Sequence, residues 1–274
     1  LTSGPAGGVN GALSLSRMMG HRNVLTTDVG GTSFDVGMIV GGEPVLAESP
    51  VFDQYHVTYP MIDVVSIGAG GGSIAWMDDA GALKVGPHSA GAVPGPAAYG
   101  RGGTEPTITD AEVVLQRLNP VSLLNGRMAV QAQAAREVIE RRVAQPLGIG
   151  LEAAAEGILR IATANMSRAI RAVSTERGYD LSAFALYAYG GAGPLHAVEV
   201  AEECGIPRVI VPQEPGTMCA RGILLSDISF DFVRSEITVA NARKQIGKAD
   251  PWEGYAETRQ RLKVSALRAL GIEP

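Results

Sequence analysis

The apolar positions of this chain follow two periods, and the changes from one to the other mark its elements. From Asn10 to Met19 small and apolar residues recur with helical spacing, and Gly20 supplies the stop. Val24-Leu25-Thr26-Thr27-Asp28 is short and β-branched, Gly30-Gly31-Thr32-Ser33 breaks it, and Phe34 to Val40 resumes as a second strand. Gly41-Gly42 is a two-residue hairpin signal ahead of Glu43 to Ala47. Three consecutive antiparallel strands are therefore expected, with a glycine loop between the first two.

From Pro60 to Gly103 periodicity fades, but interleaved Ile62, Val64, Val65, Ile74, Trp76, Leu83 and Val85 predict short strands joined by tight turns, with Ser73 to Met77 the clearest. Helices are expected over Ala111 to Leu118, with Asp110 as N-cap, over Ala129 to Ala144, and over Glu152 to Arg177. On the last, Ala155, Ile158, Leu159, Ala162, Met166, Ile170 and Val173 form one apolar stripe, which reads as core packing. Arg168, Arg171, Glu176 and Arg177 near its end read as a solvated face. A strand over Phe184 to Tyr189, a turn, a helix over Pro194 to Cys204 and a strand over Arg208 to Val211 then make a βαβ unit. Beyond Asp227 the alternation of Phe230 and Phe232 and a charged helix from about Trp252 predict the start of a further domain over 229–274. The chain opens on Leu1 inside a helix-like phrase, so it reads as part of a longer polypeptide.

Composition narrows the class. With 46% hydrophobic residues the chain can build a sizeable core, which argues against disorder. Its 23 basic and 28 acidic residues include no basic block, so a nucleic-acid partner is not expected. No apolar run reaches the roughly 20 residues of a membrane span, and no secretory pattern opens the chain. Cys204 and Cys219 read as buried thiols, which suits the reducing cytoplasm. Glycine is the outlier, at 35 of 274 residues, roughly twice average usage. Its clustering beside strands favours backbone that approaches a ligand or turns sharply.

Candidate chemistry follows those glycines. In Asp28-Val29-Gly30-Gly31-Thr32-Ser33-Phe34-Asp35-Val36 the paired glycines let backbone N–H groups converge on a polyphosphate, and Thr32 and Ser33 add hydroxyl donors. Asp28, ending the first strand, is placed to hold a hydrated Mg²⁺ or orient a water; Asp35 could do the same or brace the loop. An ordinary hairpin is the competing reading. Tyr189-Gly190-Gly191-Ala192-Gly193-Pro194-Leu195-His196 sits between strand and helix, where anions and the sugar and base of a nucleotide can approach. A dinucleotide fingerprint is disfavoured because His196 stands where a third glycine belongs; that histidine is expected to pack or cap near the turn. Gly68 to Gly72 reads equally as another phosphate cradle, through Gly70, Gly71 and Gly72, or as a plain turn. His21, His56, His88 and His196 show no zinc spacing, and both the lysine-containing P-loop and the Gly-x-Ser-x-Gly elbow are absent.

Taken in order, Ser3-Gly4-Pro5-Ala6-Gly7-Gly8, Asp28 to Val36, Ile67 to Ala75, Val85 to Gly103, Glu105 to Ala111 and Tyr189 to Ala197 resemble the hydantoinase A/5-oxoprolinase family, over about residues 1 to 230. Val64-Val65 depart from it, standing where relatives often carry a histidine. That family is similar to actin-like ATPases, whose two ribonuclease H-like lobes close on Mg-ATP. The resemblance implies that 1–228 is the second lobe, an α/β domain with a mixed sheet, an antiparallel three-strand start and flanking helices. It further implies ATP and Mg²⁺ as cofactors, Asp28 and Asp35 as catalytic residues, Asp28 as the metal ligand, and Gly30, Gly31, Thr32, Ser33, Gly70, Gly71, Gly72, Gly190, Gly191 and Gly193 around the nucleotide. The implied activity is ATP-dependent opening of a cyclic amide such as 5-oxoproline or a hydantoin, through a phosphorylated amide. A ketone carboxylase subunit and a non-catalytic nucleotide-binding module are the alternatives. The implied partners are the first lobe, upstream of this chain, and a hydantoinase B-type subunit or domain; self-association is left open.

Overall fold

A computed structural model describes residues 3–47, 51–52, 55–56 and 61–227. The expected Phe230 and Phe232 alternation and the helix near Trp252 lie outside the described residues. Contacts divide the chain into Leu1–Ser226 and Asp227–Pro274, and all that follows concerns the first unit.

Helix α1 (Ser3–Met19) starts seven residues before the expected Asn10. Glycines at 4, 7, 8 and 11 weaken helix propensity, yet they permit backbone to meet backbone, and tertiary packing decides the outcome. Gly20, at φ 72°, closes the helix. Strands β1 (Val24–Val29) and β2 (Phe34–Val40) then pair antiparallel from Val24↔Ile39 to Val29↔Phe34, as their alternation predicts. The third expected strand is a correction: β3 (Glu43–Pro44) is a stub that makes two pairs with β2. Pro44 has no N–H to extend the ladder, and Leu46–Ala47 leaves to pair with Met61–Ile62. Beside the rest of β2 runs β4 (Val64–Ile67), from Gly37↔Val64 to Phe34↔Ile67.

Strands β5 (Ser73–Met77) and β6 (Leu83–Ser89) form a separate ribbon. Helix α2 (Ile108–Val114) begins three residues before the expected Ala111. Thr107 is its N-cap, and Asp110 is the third helical residue of a capping box rather than the cap. Asp110 is fully buried and accepts from Thr107 N, Thr107 Oγ1, Ala97 N and Ala98 N, so it also anchors the preceding loop. The second expected helix divides into α3 (Ala132–Ile139) and a π-helical turn over Glu140–Ala144, while Met128–Ala129 pairs with Ser122–Leu123. Helix α4 (Leu151–Val173) buries every residue of the predicted stripe. It stops at Val173 instead of Arg177, where Ser174 Oγ turns back to donate to Ile170 O.

The βαβ unit is β7 (Ala185–Tyr189), α5 (Gly193–Cys204) and β8 (Val209–Ile210), followed by α6 (Met218–Leu224). Strand β7 runs parallel to both β1 and β8, giving a mixed sheet ordered β8-β7-β1-β2-β3, with β4 also on β2. Side chains alternate across it. Leu25, Val29, Phe34 and Val36 meet the C-terminal half of α4 and α5 on one face, while Val24, Ile39, Tyr187 and Tyr189 meet α1 and α6 on the other. The N-terminal half of α4 packs into a further core with α2, α3 and the β5–β6 ribbon.

Candidate functional site

Because β1 and β7 are parallel neighbours with Asp28 opposite Tyr189, the loops that follow them leave the same sheet edge. They touch directly: Ala192 N donates to Val29 O at 2.9 Å. Gly190, at φ 85°, lies against Asp28, and a Cβ there would overlap Asp28 Oδ1. Only glycine fits that contact.

The middle glycine tract packs behind the first loop. Gly71 N donates to Gly30 O at 3.0 Å and Gly72 N to Gly31 O at 2.7 Å, while Gly70 N is taken by Ser73 Oγ at 2.9 Å. A Cβ on Gly70 would fall 2.5 Å from Thr32 N. The amides of Gly71 and Gly72 are thus engaged in holding the Gly30–Ser33 turn, and that of Gly70 in closing its own tract onto Ser73. In turn Gly71 O accepts from Thr109 N and Oγ1, both at 2.8 Å, tying the tract to the start of α2. Gly31 and Thr32 are exposed at the tip, and among the described residues their amides have no partner.

Early, middle and late turns share one hollow. A cavity of about 550 Å³ is lined by Gly30, Gly31, Gly71 and Gly191, with apolar walls that include Leu118, Leu123, Met128 and Leu195. Two more open grooves of about 930 and 810 Å³ lie along α4, but none of those four glycines lines them. Thr32, Ser33, Gly70, Gly72, Gly190 and Gly193 stand around this cavity's turns without lining it.

The two predicted carboxylates face each other across the β1–β2 ladder, Asp28 opposite Asp35, on the sheet face covered by α1 and α6. They do not line the cavity. Ser33 Oγ donates to Asp35 Oδ2 at 3.0 Å, and Cys219 Sγ donates to Asp28 Oδ2 at 2.9 Å. Burial raises the Asp28 pKa, the Cys219 contact opposes this, and the neighbouring Asp35 charge adds to it. The Cys219 thiol is pushed up to about 12, first by burial and then by Asp28, so it stays protonated and able to donate. Sequence reading missed this role, since Cys219 lies 191 positions from its partner. Two half-buried carboxylates beside an exposed turn suit a hard cation that keeps much of its water. No group of three or more His, Cys, Asp or Glu able to hold a metal occurs among the described residues.

His196 packs inside the first turn of α5 and meets Glu112 of α2, with Nδ1 3.7 Å from Oε1. Both line the cavity, at 2% and 1% exposure, and Glu112 Oε1, Oε2 and His196 Nε2 have no hydrogen-bond partner. Burial lifts Glu112 to about 7, with Arg117 opposing and Glu199 reinforcing, and burial depresses His196 to about 4. Glu112 carried no signal in the sequence beyond its place in a helix.

A strand–turn–strand and a βαβ turn that open on one cavity, on a mixed sheet with helices on both faces, define an α/β domain built around a shared glycine-lined hollow. More narrowly, the chain belongs to the hydantoinase/oxoprolinase family, whose description matches residues 1–232. It is 46% identical over 231 residues to caprolactamase subunit alpha of Pseudomonas jessenii, covering 84% of this chain and 33% of that protein. It is 42% identical over 227 residues to the acetophenone carboxylase gamma subunit of Aromatoleum aromaticum, covering 82% and 31%. The crystal structure of the ATP-dependent caprolactamase from Pseudomonas jessenii superposes with a TM-score of 0.81 at 39% identity, over 98% of this chain and 38% of that one. The chain therefore spans about a third of the length of these relatives. No helix among the described residues is long and apolar enough to cross a membrane.

Proposed function

We propose that this chain is the nucleotide-binding lobe of an ATP-dependent cyclic amidohydrolase that opens a lactam or imide ring, of which 5-oxoproline and hydantoin are examples. The observation that carries the reading is the cavity lined jointly by Gly30, Gly31, Gly71 and Gly191. Its apolar walls suit a nucleoside, and the exposed amides of Gly31 and Thr32 suit phosphate oxygens. The similarity to an ATP-dependent caprolactamase supports the amide substrate class.

An amide carbonyl is a poor electrophile; phosphorylation of its oxygen activates the carbon to attack by water. The C–N bond then breaks with the protonated ring nitrogen leaving as an amine, and a second water releases phosphate from the resulting acyl phosphate. Such chemistry asks for positioning and charge neutralisation. Asp28 and Asp35 would hold Mg²⁺, which when bound neutralises phosphate charge. Gly190 and Cys219 fix the Asp28 carboxylate from two sides. The opposing lobe and a hydantoinase B-type partner would bring the substrate. A ketone carboxylase is the second reading, favoured by the similarity to the acetophenone carboxylase gamma subunit.

The test uses the complete protein with its partner, assayed for phosphate release with 5-oxoproline, hydantoin, caprolactam, and acetone plus bicarbonate. Release with a lactam or imide is expected, and Asp28→Asn should lower it on the order of 100-fold with little change in unfolding midpoint. Release with the ketone alone would reject the amidohydrolase, and tight nucleotide binding without turnover on any substrate would leave a binding module.

A further inference from the structure

A buried carboxyl without a hydrogen-bond partner is costly and calls for an explanation. Both oxygens of Glu112 are in that position, and so is Nε2 of the adjoining His196, in the wall of the cavity that the glycine turns share. The structure therefore places in the cavity wall two buried polar side chains without hydrogen-bond partners, Arg117 Nε standing 4.0 Å from Glu112 Oε2, beside the turns assigned to phosphate. Both side chains come from elements that carry those turns: Glu112 lies three residues beyond Thr109, which holds Gly71, and His196 lies five beyond Gly191.

We propose that Glu112, packed beside His196, is a specificity-determining residue that reads the amino edge of an adenine base in this cavity; the inference rests on the nucleotide reading above. A neutral carboxyl offers one C=O acceptor and one O–H donor side by side. The adenine edge offers the complement, an amino donor beside a ring-nitrogen acceptor. Burial keeps the neutral acid accessible at neutral pH, as the rise of Glu112 to about 7 reflects. The side-chain amide of glutamine presents the same acceptor and donor pair as the neutral acid, whereas methionine has the length and neither group.

The experiment measures nucleotide affinity of the complete protein by calorimetry with ATP, GTP and the triphosphate of purine riboside, which lacks the amino group. The wild type should prefer ATP over the purine analogue by about tenfold, the scale of one such contact. Glu112→Gln should keep that preference, and Glu112→Met should weaken ATP binding by about tenfold and bring the two nucleotides within twofold. Equal affinity of the wild type for ATP and the analogue overturns the inference without needing any variant, as does a preference for GTP. A preference that persists in Glu112→Met also overturns it, while leaving the nucleotide reading intact. Failure of the wild type to bind any nucleotide overturns that earlier reading and this inference together.

Discussion

Glu112 and His196 show how two residues can each depend strongly on pH while their sum hides it. The native pKa of His196, about 4, lies below its ordinary value of 6.5, so the unfolded chain binds the extra proton between those limits and stability rises with pH. The native pKa of Glu112, about 7, lies above its ordinary 4.5, so the folded chain binds the extra proton and stability falls as pH rises through that window. Over most of the shared range the two slopes oppose each other. Glu112→Gln removes the falling limb, so urea midpoints of that variant should climb from about pH 4 to 6.5 more steeply than wild type. Identical slopes for the two proteins would contradict the assignment. The glycines on this cavity were legible because a ligand-approach role leaves a compositional trace. Glu112 and Cys219 were not, because a single side chain whose partner lies 84 or 191 positions away leaves no local pattern.

Helices show where periodicity informs and where packing overrules it. The α4 stripe was readable because one long amphipathic face is buried along its whole length. The start of α1 was not, since its glycines argue against helix locally and are justified only by packing, Gly8 against Tyr189 of β7 and Gly7 and Gly11 against α6. A Cβ on Gly7 would lie 2.7 Å from Cys219 O, one on Gly11 3.0 Å from Met218 O, and one on Gly222 would overlap Gly7 O. Gly222→Ala should therefore cost about 1–3 kcal/mol through overpacking. Gly157→Ala in α4 is the matching control, because the nearest atom is the Leu83 side chain at 3.7 Å. There alanine should stabilise by up to about 1 kcal/mol through helix propensity. Thermal midpoints that move the same way in both would defeat this account. Helix α2 was misplaced for another reason: Asp110 looks like a cap in sequence but works inside a capping box, bound to a loop 12 and 13 positions earlier.

At the scale of the molecule, the parallel pairing of β1 and β7 brings turns 160 residues apart to one edge, and α6 returns to put Cys219 on Asp28. The sequence foretold both strands and both turns, but not the helix that closes behind them. If this assembly binds a charged nucleotide, the whole fold should feel it. Mg-ATP at about 100 times its dissociation constant should stabilise the complete protein by about 2.7 kcal/mol. Asp28→Asn and Cys219→Ala should shrink that shift, whereas Cys219→Ser, which keeps a donor for Asp28, should retain it. An undiminished shift in both Asp28→Asn and Cys219→Ala would remove these residues from the nucleotide's surroundings.

The ladder from Gly71 and Gly72 onto Gly30 and Gly31 has a consequence for how charge is received. The turn is backed by peptide groups already locked in hydrogen bonds, so it has little room to recoil when an anion presses on its outer side. Dipoles oriented before the ligand arrives need little reorganisation energy afterwards. Rigidity here is an electrostatic property as much as a mechanical one.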